Sequence, residues 1–217
     1  MYQPPHFVEP DLATKHALVR ERPLGLLISG GADGLVANPV PFLLDADVGP
    51  LGRLRTHLAR ANPQWKALAA GAEVLVVFQG PDAYVTPSWY ASKREHGKVV
   101  PTWNYAMVQA RGTVTVHEDA DWLHAQASAL TDTHEARRAN PWAIDDAPEP
   151  FVAMQLRAIV GIEIAITALD GKWKVSQNRP EPDRAGVALG LGAEETPGAA
   201  AMRDLVAARL RPASDTN

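Results

Sequence analysis

The chain has 217 residues, of which 46% are hydrophobic, 21% are charged and none is cysteine. With 25 acidic and 21 basic side chains the formal net charge is -4, which excludes a strongly basic surface that binds nucleic acid by counterion release. The absence of cysteine excludes a disulfide framework, thiolate metal sites and a cysteine nucleophile.

The amino-terminal part of the chain predicts a helix and no targeting segment. The first ten residues lack a cationic start and an apolar run, and no apolar stretch approaches the roughly 18 residues of a membrane span, so we expect a cytoplasmic protein. Apolar residues recur at helical spacing after Asp11, a plausible N-cap, and Pro23 follows their end. This pattern predicts an amphipathic entry helix.

A β-hairpin is the next predicted element. Apolar runs over 24–29 and 34–37 flank Gly30-Gly31-Ala32-Asp33, whose glycines allow positive φ and a tight reversal. Pro39 and Pro41 lack backbone N–H donors, so we expect the second strand at a sheet edge or a bulge.

The rest of the chain alternates short apolar runs with brief helical stretches. Strands are predicted over 54–58, 73–79, 83–87, 102–116 (with Gly112 as a possible bulge), 159–166 and 172–176, the last two joined by an Asp170-Gly171 turn, and helices over 62–71, 118–136, 151–156 and 194–210. Consecutive strands with few helices between them favour an antiparallel barrel or sandwich over βαβ units.

Three familiar catalytic or nucleotide-binding motifs are missing. Gly30–Gly34 joins two strands and Gly190-Leu191-Gly192 follows no strand, so neither predicts a phosphate-binding or dinucleotide-binding loop. His134-Glu135 lacks the second histidine of a zinc protease helix, and the other histidines show no metal-ligand spacing. A Gly-x-Ser-x-Gly nucleophile elbow does not occur.

Aromatic residues beside cations form the most unusual cluster in the sequence. Ser88–Arg94 contains Trp89, Tyr90 and two cations, and Pro101–Tyr105 follows it closely with two more aromatic rings. Flat apolar faces next to hydroxyls and cations suit a planar ligand with an anionic tail. The alternative is that the rings are core or dimer contacts, and composition alone leaves both open.

An ordered set of short motifs resembles a known family. The set consists of Met1-Tyr2-x-Pro4-x-His6-Phe7, His57-Leu58-Ala59-Arg60-Ala61-Asn62-Pro63-Gln64-Trp65, Phe78-Gln79-Gly80-Pro81, Ser88-Trp89-Tyr90, Val100-Pro101-Thr102-Trp103-Asn104-Tyr105, Ile159-Val160-Gly161 and Ser176-Gln177-Asn178-Arg179. Together these motifs resemble the PaiB family of FMN-binding negative transcriptional regulators. The resemblance implies a split-barrel fold similar to that of pyridoxamine phosphate oxidases, with two flavin sites at the interface of a homodimer.

The expected architecture combines this resemblance with the strand pattern. We expect a mainly β protein with helices (α+β), built on a six-stranded antiparallel split β-barrel with peripheral helices. The FMN-binding domain, with its amino-terminal helix, is expected over residues 1–180, and a helical annex over residues 181–217.

The resemblance also implies which residues bind FMN. His57, Arg60 and Asn62 are expected near the flavin phosphate, where a guanidinium and backbone donors can bind it. Ser88 and Lys93 are expected to add a hydroxyl and a second cation.

Further contacts are implied for the flavin ring. Four aromatic residues are expected to border the isoalloxazine: Trp89, Tyr90, Trp103 and Tyr105. Asn104 is expected to place its amide at the polar edge of the ring. A segment of the partner subunit is expected to close the site with Gln177, Asn178 and Arg179. The family usually has Thr-His-Leu-Pro-Phe where this chain has Asn38-Pro39-Val40-Pro41-Phe42. Asn38, a predicted FMN contact, therefore stands where the family has threonine, and Pro39 stands where it has a histidine that could contact flavin or substrate; Pro39 also removes a backbone donor.

Three functions remain open at this stage. The first is a cytoplasmic, homodimeric FMN-binding protein of the negative-regulator type, although the sequence contains no helix-turn-helix with a basic recognition face that would predict direct DNA binding. The second is an FMN-dependent oxidoreductase that acts on a small molecule at the dimer interface. The third is a split-barrel dimer whose flavin site has been lost, so the sequence leaves open whether the protein is an enzyme.

Overall fold

The computed structural model describes residues 1–31 and 34–210. This part of the chain contains helices α1 Leu12–Glu21, α2 Gln64–Ala69, α3 Ser92–His96, α4 Ala120–Glu135, α5 Glu149–Arg157, α6 Glu181–Gly192 and α7 Ala199–Ala208. Its strands are β1 Leu24–Gly31, β2 Gly34–Pro41, β3 Leu43–Asp45, β4 Arg53–Ala59, β5 Val74–Val85, β6 Thr102–His117 and β7 Ile159–Lys174. None of the helices described here is long and apolar enough to cross a membrane.

The strands form one sheet in the order β2-β1-β5-β6-β7-β4-β3. The pairs β1–β2, β1–β5, β3–β4 and β4–β7 are antiparallel, as the sequence predicted. The prediction of six strands is wrong, because the sheet has seven. The three-residue strand β3 is too short to produce an alternating pattern, and only Phe42 separates it from the end of β2 at Pro41.

The predicted turn at Asp170-Gly171 is also wrong. Both residues lie inside the continuous strand β7. The carbonyl oxygen of Gly171 accepts hydrogen bonds from the backbone N–H of Glu9 and the side-chain amide of Gln3, both at 2.9 Å. Asp-Gly predicts a reversal only when the chain leaves the sheet, and here the amino-terminal segment pairs with β7 instead.

Two more predicted boundaries disappear into long strands. The predicted runs over 73–79 and 83–87 belong largely to the single strand β5, with Gly80 and Pro81 inside it. Strand β6 is continuous through Gly112, where a Cβ atom would lie 2.1 Å from the carbonyl oxygen of Ala165. The glycine is therefore required by the close approach of the two backbones.

The chain divides into two compact units. Unit 1 comprises Met1–Asp11, Gln79–Val108 and Asp170–Asn217, and unit 2 comprises Leu12–Phe78 and Gln109–Leu169. The long strands β5, β6 and β7 each contribute residues to both units. The boundary that the sequence predicts at residues 180 and 181 is a different division and stays a prediction.

Unit 2 contains the β1–β2 hairpin and the helices α1, α2, α4 and α5. Leu24 to Gly31 pair with Pro41 to Gly34, and the predicted turn residues Ala32 and Asp33 lie outside the described residues. Strand β2 is at the edge of the sheet, which confirms the position predicted from its prolines. The core of this unit includes Leu27, Leu54, Val76, Val160 and Ile162, all fully buried.

Unit 1 contains α3, α6 and α7 and the amino-terminal segment. Val8 bridges to Lys172 on β7, and Arg209 pairs with the buried carboxylate of Glu9 at 2.7 Å. The predicted tail helix is shorter than expected, at Ala199–Ala208, and α6 was not predicted as a separate helix. Pro180 is the N-cap residue and Pro182 lies in the first turn, where proline fixes φ without costing an internal hydrogen bond, so the helix can begin where the sequence suggested a break.

Candidate functional site

Ten of the fourteen predicted FMN contacts lie in unit 1, in three segments of the chain. The first is the loop that follows β5. A short 3-10 helix, Pro87–Trp89, is capped by the Thr86 hydroxyl, which accepts a hydrogen bond from the backbone N–H of Ser88 at 3.3 Å. The Lys93 ammonium donates to the Ser88 hydroxyl at 3.2 Å, so these two predicted contacts lie together on an exposed surface.

Trp89 rests on helix α6. A Cβ atom added at Gly190 would lie 2.3 Å from Cδ2 and Cε2 of the Trp89 indole, and one added at Gly186 would lie 2.0 Å from the Trp89 carbonyl oxygen. Two glycines four residues apart therefore form a flat seat for this residue. The sequence signal was available in the Gly-x-x-x-Gly spacing, but without a helix prediction for these residues it could not be connected with Trp89.

Tyr90 is buried under a cation. Its side chain is 1% exposed, its hydroxyl has no hydrogen-bond partner in the described part of the chain, and the guanidinium of Arg179 lies 4.8 Å from the ring centroid. Burial raises the pKa of the Tyr90 hydroxyl, and the positive charge of Arg179 only partly opposes this rise. The structure thus brings together two of the residues that sequence reasoning assigned to the flavin.

An aspartate that the sequence analysis missed joins this loop to α6. Both oxygens of the Asp183 carboxylate accept hydrogen bonds from Ser92, one from its backbone N–H at 2.9 Å and one from its hydroxyl at 2.7 Å. Burial alone would raise the Asp183 pKa, but these bonds and the charge of Arg179 outweigh burial, so the pKa is lowered. The aspartate therefore holds the loop and α6 together as a charged group.

The second and third segments meet at a buried polar pair. Asn104 on β6 donates from Nδ2 to the Ser176 hydroxyl at 2.9 Å, and both residues are nearly inaccessible to solvent. Ser176 has φ of 65°, a left-handed conformation that is costly for serine and that turns the chain after β7. Gln177 then bonds back to the backbone of Val175 and Trp173, so its amide is used in shaping this turn.

Two lysines on β7 complete the cationic part of unit 1. The Lys172 ammonium donates to the Tyr2 carbonyl oxygen at 2.9 Å and lies 5.3 Å from the Tyr105 ring centroid. The Lys174 ammonium donates to the Thr102 hydroxyl at 2.6 Å and to the Trp103 carbonyl oxygen. In the part of the chain that the structure describes, neither lysine has an ion pair with a carboxylate.

The electrostatics of Lys174 reflect this surplus of positive charge. Burial lowers the pKa of its ammonium, and the nearby charges of Lys172 and Arg179 lower it further. The sequence analysis assigned no role to either lysine, although both lie in the strand predicted over 172–176. The alternation of Lys172, Trp173 and Lys174 along one strand would have put both ammonium groups on one face.

Exposed aromatic rings lie in the same unit. Trp103 is 54% exposed and Tyr84 is 48% exposed, and their rings meet edge to face with centroids 5.9 Å apart. They border a cavity of about 300 Å³ that is also lined by Asp82, Ala83, Leu191, Glu194, Thr196 and Pro197. Of the predicted ring contacts, Trp103 thus has an accessible face, whereas Trp89 is seated on α6.

The other four predicted contacts lie in unit 2. The Asn38 amide donates to Gln64 Oε1 at 2.9 Å, and Asn62 Oδ1 accepts the backbone N–H of Gln64 at 3.0 Å, so both are joined to the start of α2. Asn62 thereby performs the capping role that the sequence predicted for it. His57 Nδ1 lies 2.8 Å from Gln126 Oε1 on α4.

Arg60 is engaged by groups of its own unit. Its guanidinium donates to the carbonyl oxygens of Arg157 at 2.9 Å and Ile159 at 3.1 Å, and it pairs with the Glu118 carboxylate. Its backbone carbonyl oxygen accepts the indole N–H of Trp65 at 3.0 Å. The described geometry therefore gives Arg60 a structural role at the end of β4, and its predicted phosphate contact stays a prediction.

The chain matches one protein-family model and is similar in sequence to proteins of other organisms. Residues 1–168 match a family model described as "Putative FMN-binding domain". The Bacillus subtilis protein named "Protease synthase and sporulation protein PAI 2" is 32% identical over 211 residues, covering 97% of this chain and 99% of that protein. An uncharacterized protein of Emericella nidulans is 36% identical over 226 residues, covering 88% of this chain and 90% of the relative.

Solved structures share the fold at lower sequence identity. The FAD and heme binding protein from Mycobacterium smegmatis has a TM-score of 0.57 and 22% identity, with 77% of this chain and 73% of that chain covered. The flavocytochrome Anf3 from Azotobacter vinelandii has a TM-score of 0.57 and 17% identity, with 77% and 69% covered. Identities of this size establish a common fold and nothing further.

Proposed function

We propose that this chain, which belongs to the family of FMN-binding domains matched by its residues 1–168 and is similar to the PAI 2 protein of B. subtilis, uses its FMN in gene regulation. The regulatory part of the proposal is supported by the name of that relative, which refers to protease synthesis and sporulation, over nearly the full length of both chains. The split-barrel form of the fold and a homodimeric assembly belong to the same proposal.

A single observation carries the placement of the cofactor. Lys172 and Lys174 stand side by side on one face of β7 and, within the described residues, bond only to carbonyl oxygens, a hydroxyl and aromatic rings. Lys172 is buried, at 8% exposure, and Lys174 is partly buried, and cations in such surroundings without a carboxylate partner are costly unless an anion reaches them. The phosphate of FMN is such an anion, so we place it against these two ammonium groups.

The neighbouring groups fit the rest of the cofactor. Trp103 offers an exposed indole face beside the cavity of about 300 Å³, and Tyr105 lies next to Lys172. The Tyr90 hydroxyl is a buried donor whose acceptor the described chain does not supply. A flat heteroaromatic ring with carbonyl oxygens and an anionic tail satisfies these three features together.

The remaining predicted contacts are positioning groups in this proposal. Asp183 fixes the loop that carries Tyr90 and Lys93, and the Ser176 turn delivers Arg179 above Tyr90. Bound FMN supplies one-electron and two-electron redox chemistry. The chain itself binds the anionic tail, orients the ring and limits the access of water through its aromatic residues.

The first experiment is an absorption spectrum of the purified protein after incubation with FMN and removal of free FMN by gel filtration. We expect a retained flavin spectrum at about one flavin per subunit, and a colourless protein would contradict the placement. Light scattering on the same column measures the subunit number, and a monomer carrying full flavin would contradict the proposed dimer.

Regulation is tested by selection of protein-bound duplexes from a randomised DNA pool, with FMN oxidised and reduced. Enrichment of one sequence that depends on the flavin state is expected. Failure to enrich any sequence, together with flavin-dependent consumption of NADH or NADPH, would contradict regulation through DNA and support an oxidoreductase instead.

A further inference from the structure

Unit 2 contains a cavity beside His57 that is partly open to solvent. A cavity of about 280 Å³ lies between β4, helix α4, the segment after α4 and helix α5. Its lining consists of His57, Ala127, Thr131, Trp142, Ile144, Ala147, Phe151, Val152, Gln155, Leu156 and Ile159. The cavity adjoins the buried cluster of Leu123, Val152 and Leu156, so its walls are fixed by core packing.

The chemistry of the lining selects a neutral ligand. None of the lining residues is a lysine, arginine, aspartate or glutamate, and most are aliphatic or aromatic. Trp142 and Phe151 are 47% and 48% exposed, so two aromatic side chains line the cavity and still reach solvent. An anion in this cavity would be desolvated without a permanent cation beside it, which is costly.

One polar side chain in the lining, His57, can orient a ligand by a hydrogen bond. His57 Nδ1 is engaged by Gln126 Oε1 at 2.8 Å, and Nε2 of the same ring makes no hydrogen bond within the described residues. When the imidazole is neutral and donates from Nδ1 to Gln126, Nε2 is an acceptor. A ligand that carries an N–H or O–H group can therefore be held at this atom.

A second observation concerns Gln126, which contacts His57 but does not itself line the cavity. Gln126 is fully buried, and its Nε2 atom has no hydrogen-bond partner in the described part of the structure. A buried amide donor without a partner costs about 1–3 kcal/mol and is typically completed by a ligand or an ordered water. The His57–Gln126 pair is thus a polar centre that the protein does not complete by itself.

We propose that this cavity binds a small neutral aromatic molecule with a single N–H or O–H donor, such as an indole or a phenol, against His57. Its volume lies between that of an apolar cavity that holds benzene and that of a site for a drug-sized ligand, which suits one substituted or two fused rings. The proposal goes beyond the flavin function and is independent of it. It also gives His57 a role different from the phosphate contact that the family resemblance implies.

The test is a titration of the full chain with 5-fluoroindole, followed by fluorine NMR, with and without FMN. We expect saturable binding at one site, unchanged by FMN. The N-methylated probe, which lacks the donor, should bind about two- to tenfold more weakly. Ala127→Leu fills the cavity and should weaken binding about tenfold or more. Ala153→Leu is the matched control on α5, because Ala153 lines neighbouring cavities and not this one.

Each result decides the proposal. If Ala127→Leu lowers the thermal midpoint, Thr131→Leu makes the same change from the next turn of α4. The proposal would be overturned if the wild type showed no saturable binding, or if the cavity-filling variants Ala127→Leu and Thr131→Leu bound the probe as tightly as the wild type. Displacement of the probe by FMN would also overturn it. The last result would make the cavity part of the flavin site. If the wild type binds the probe but does not bind FMN, the flavin placement is contradicted and this inference stands.

Discussion

The two units differ in the groups that contact the cations on their strands. In unit 2, Arg53 and Arg55 on β4 both pair with Asp45, and Arg53 also pairs with Glu163. In unit 1, Lys172 and Lys174 on β7 occur in the same strand spacing but contact carbonyl oxygens, a hydroxyl and rings. The two cations on one face of a strand are therefore neutralised by carboxylates in unit 2, whereas the two lysines of unit 1 have no carboxylate partner within the described residues.

This difference separates a structural charge network from a binding site. Four guanidinium nitrogens, two of Arg53 and two of Arg55, contact the Asp45 carboxylate. The pKa of Asp45 is lowered chiefly by the Arg55 hydrogen bond, against the effect of burial. The pKa of the Lys174 ammonium is lowered by burial and by like charges. A carboxylate whose charged form is stabilised, such as Asp45, belongs to an ion-pair network in which opposite charges compensate each other. An ammonium whose charged form is destabilised, such as Lys174, lacks a compensating anion within the described residues.

The largest expected effect is on FMN affinity. Lys174→Met removes one charge at nearly constant side-chain length and should weaken FMN binding about 10- to 100-fold, because a charge-assisted hydrogen bond is worth about 1.5–3 kcal/mol. Lys98→Ala is the control, since Lys98 is an exposed cation of the same unit. Fluorescence quenching of FMN measures both affinities. An equal loss of FMN affinity in Lys174→Met and Lys98→Ala would show that only the net charge of the protein matters, and would contradict a specific contact at Lys174.

The same variant tests the electrostatic argument without flavin. Because the folded-state pKa of Lys174 is lowered, the unfolded chain binds this proton more tightly, and protonated Lys174 destabilises the fold. This penalty is full below the lowered pKa and fades as the pH rises toward the ordinary lysine value of about 10.4. At neutral pH the urea midpoint of apo Lys174→Met should therefore not fall below that of the wild type. A clear fall would show that Lys174 stabilises the fold.

The next effect concerns the seat of Trp89. Gly190→Ala places a methyl group where the indole lies and should destabilise the protein by about 1–3 kcal/mol. Gly192→Ala, at the end of the same helix, meets only Arg203 Cδ at 3.5 Å and should be neutral or stabilising by up to about 1 kcal/mol. Urea unfolding compares the two. Equal effects would indicate that Trp89 is not held by α6.

The smallest effect tests the finished network of unit 2. Asp45→Asn should cost about 1–2 kcal/mol at pH 7, with FMN affinity unchanged. Since the folded-state pKa of Asp45 is lowered, its contribution is present above the ordinary aspartate value of about 3.9 and is lost as the pH falls through the lowered pKa. The urea midpoints of variant and wild type should therefore converge in acid. Asp47→Asn, at an exposed neighbour, is the control, and it should leave the midpoint unchanged at both pH values.

Much of the fold could be predicted where one local signal dominated. Proline at positions 39 and 41 placed β2 at an edge, and the Asn62-Pro63 cap located α2. The predicted FMN cofactor is confirmed by the family match. The seventh strand and the continuity of β7 escaped prediction, because a three-residue strand has no period and Asp170-Gly171 carries a turn signal that pairing with the amino-terminal segment overrides.

The site was less predictable for a physical reason. Aromatic residues beside cations led us to predict flavin contacts in segments that lie in unit 1. Those contacts stay a prediction, because sequence alone does not show which face of a ring is covered. Trp89 and Trp103 each follow a hydroxyl-bearing residue in the sequence, yet one rests on glycines and the other is exposed. The Asp183–Ser92 contact depends on which residues meet in space, and no local pattern encodes it. Strand alternation shows that the two lysines of β7 share a face, but it does not show which groups they contact.

The most direct test of the account is the difference in affinity between FMN and riboflavin, which differ only by the phosphate. The account predicts that the wild type binds FMN more tightly than riboflavin, and that Lys174→Met loses most of this preference while Lys98→Ala keeps it. Equal affinity of the wild type for both flavins, or a preference that survives in Lys174→Met, would contradict the placement of the phosphate at the lysines of β7.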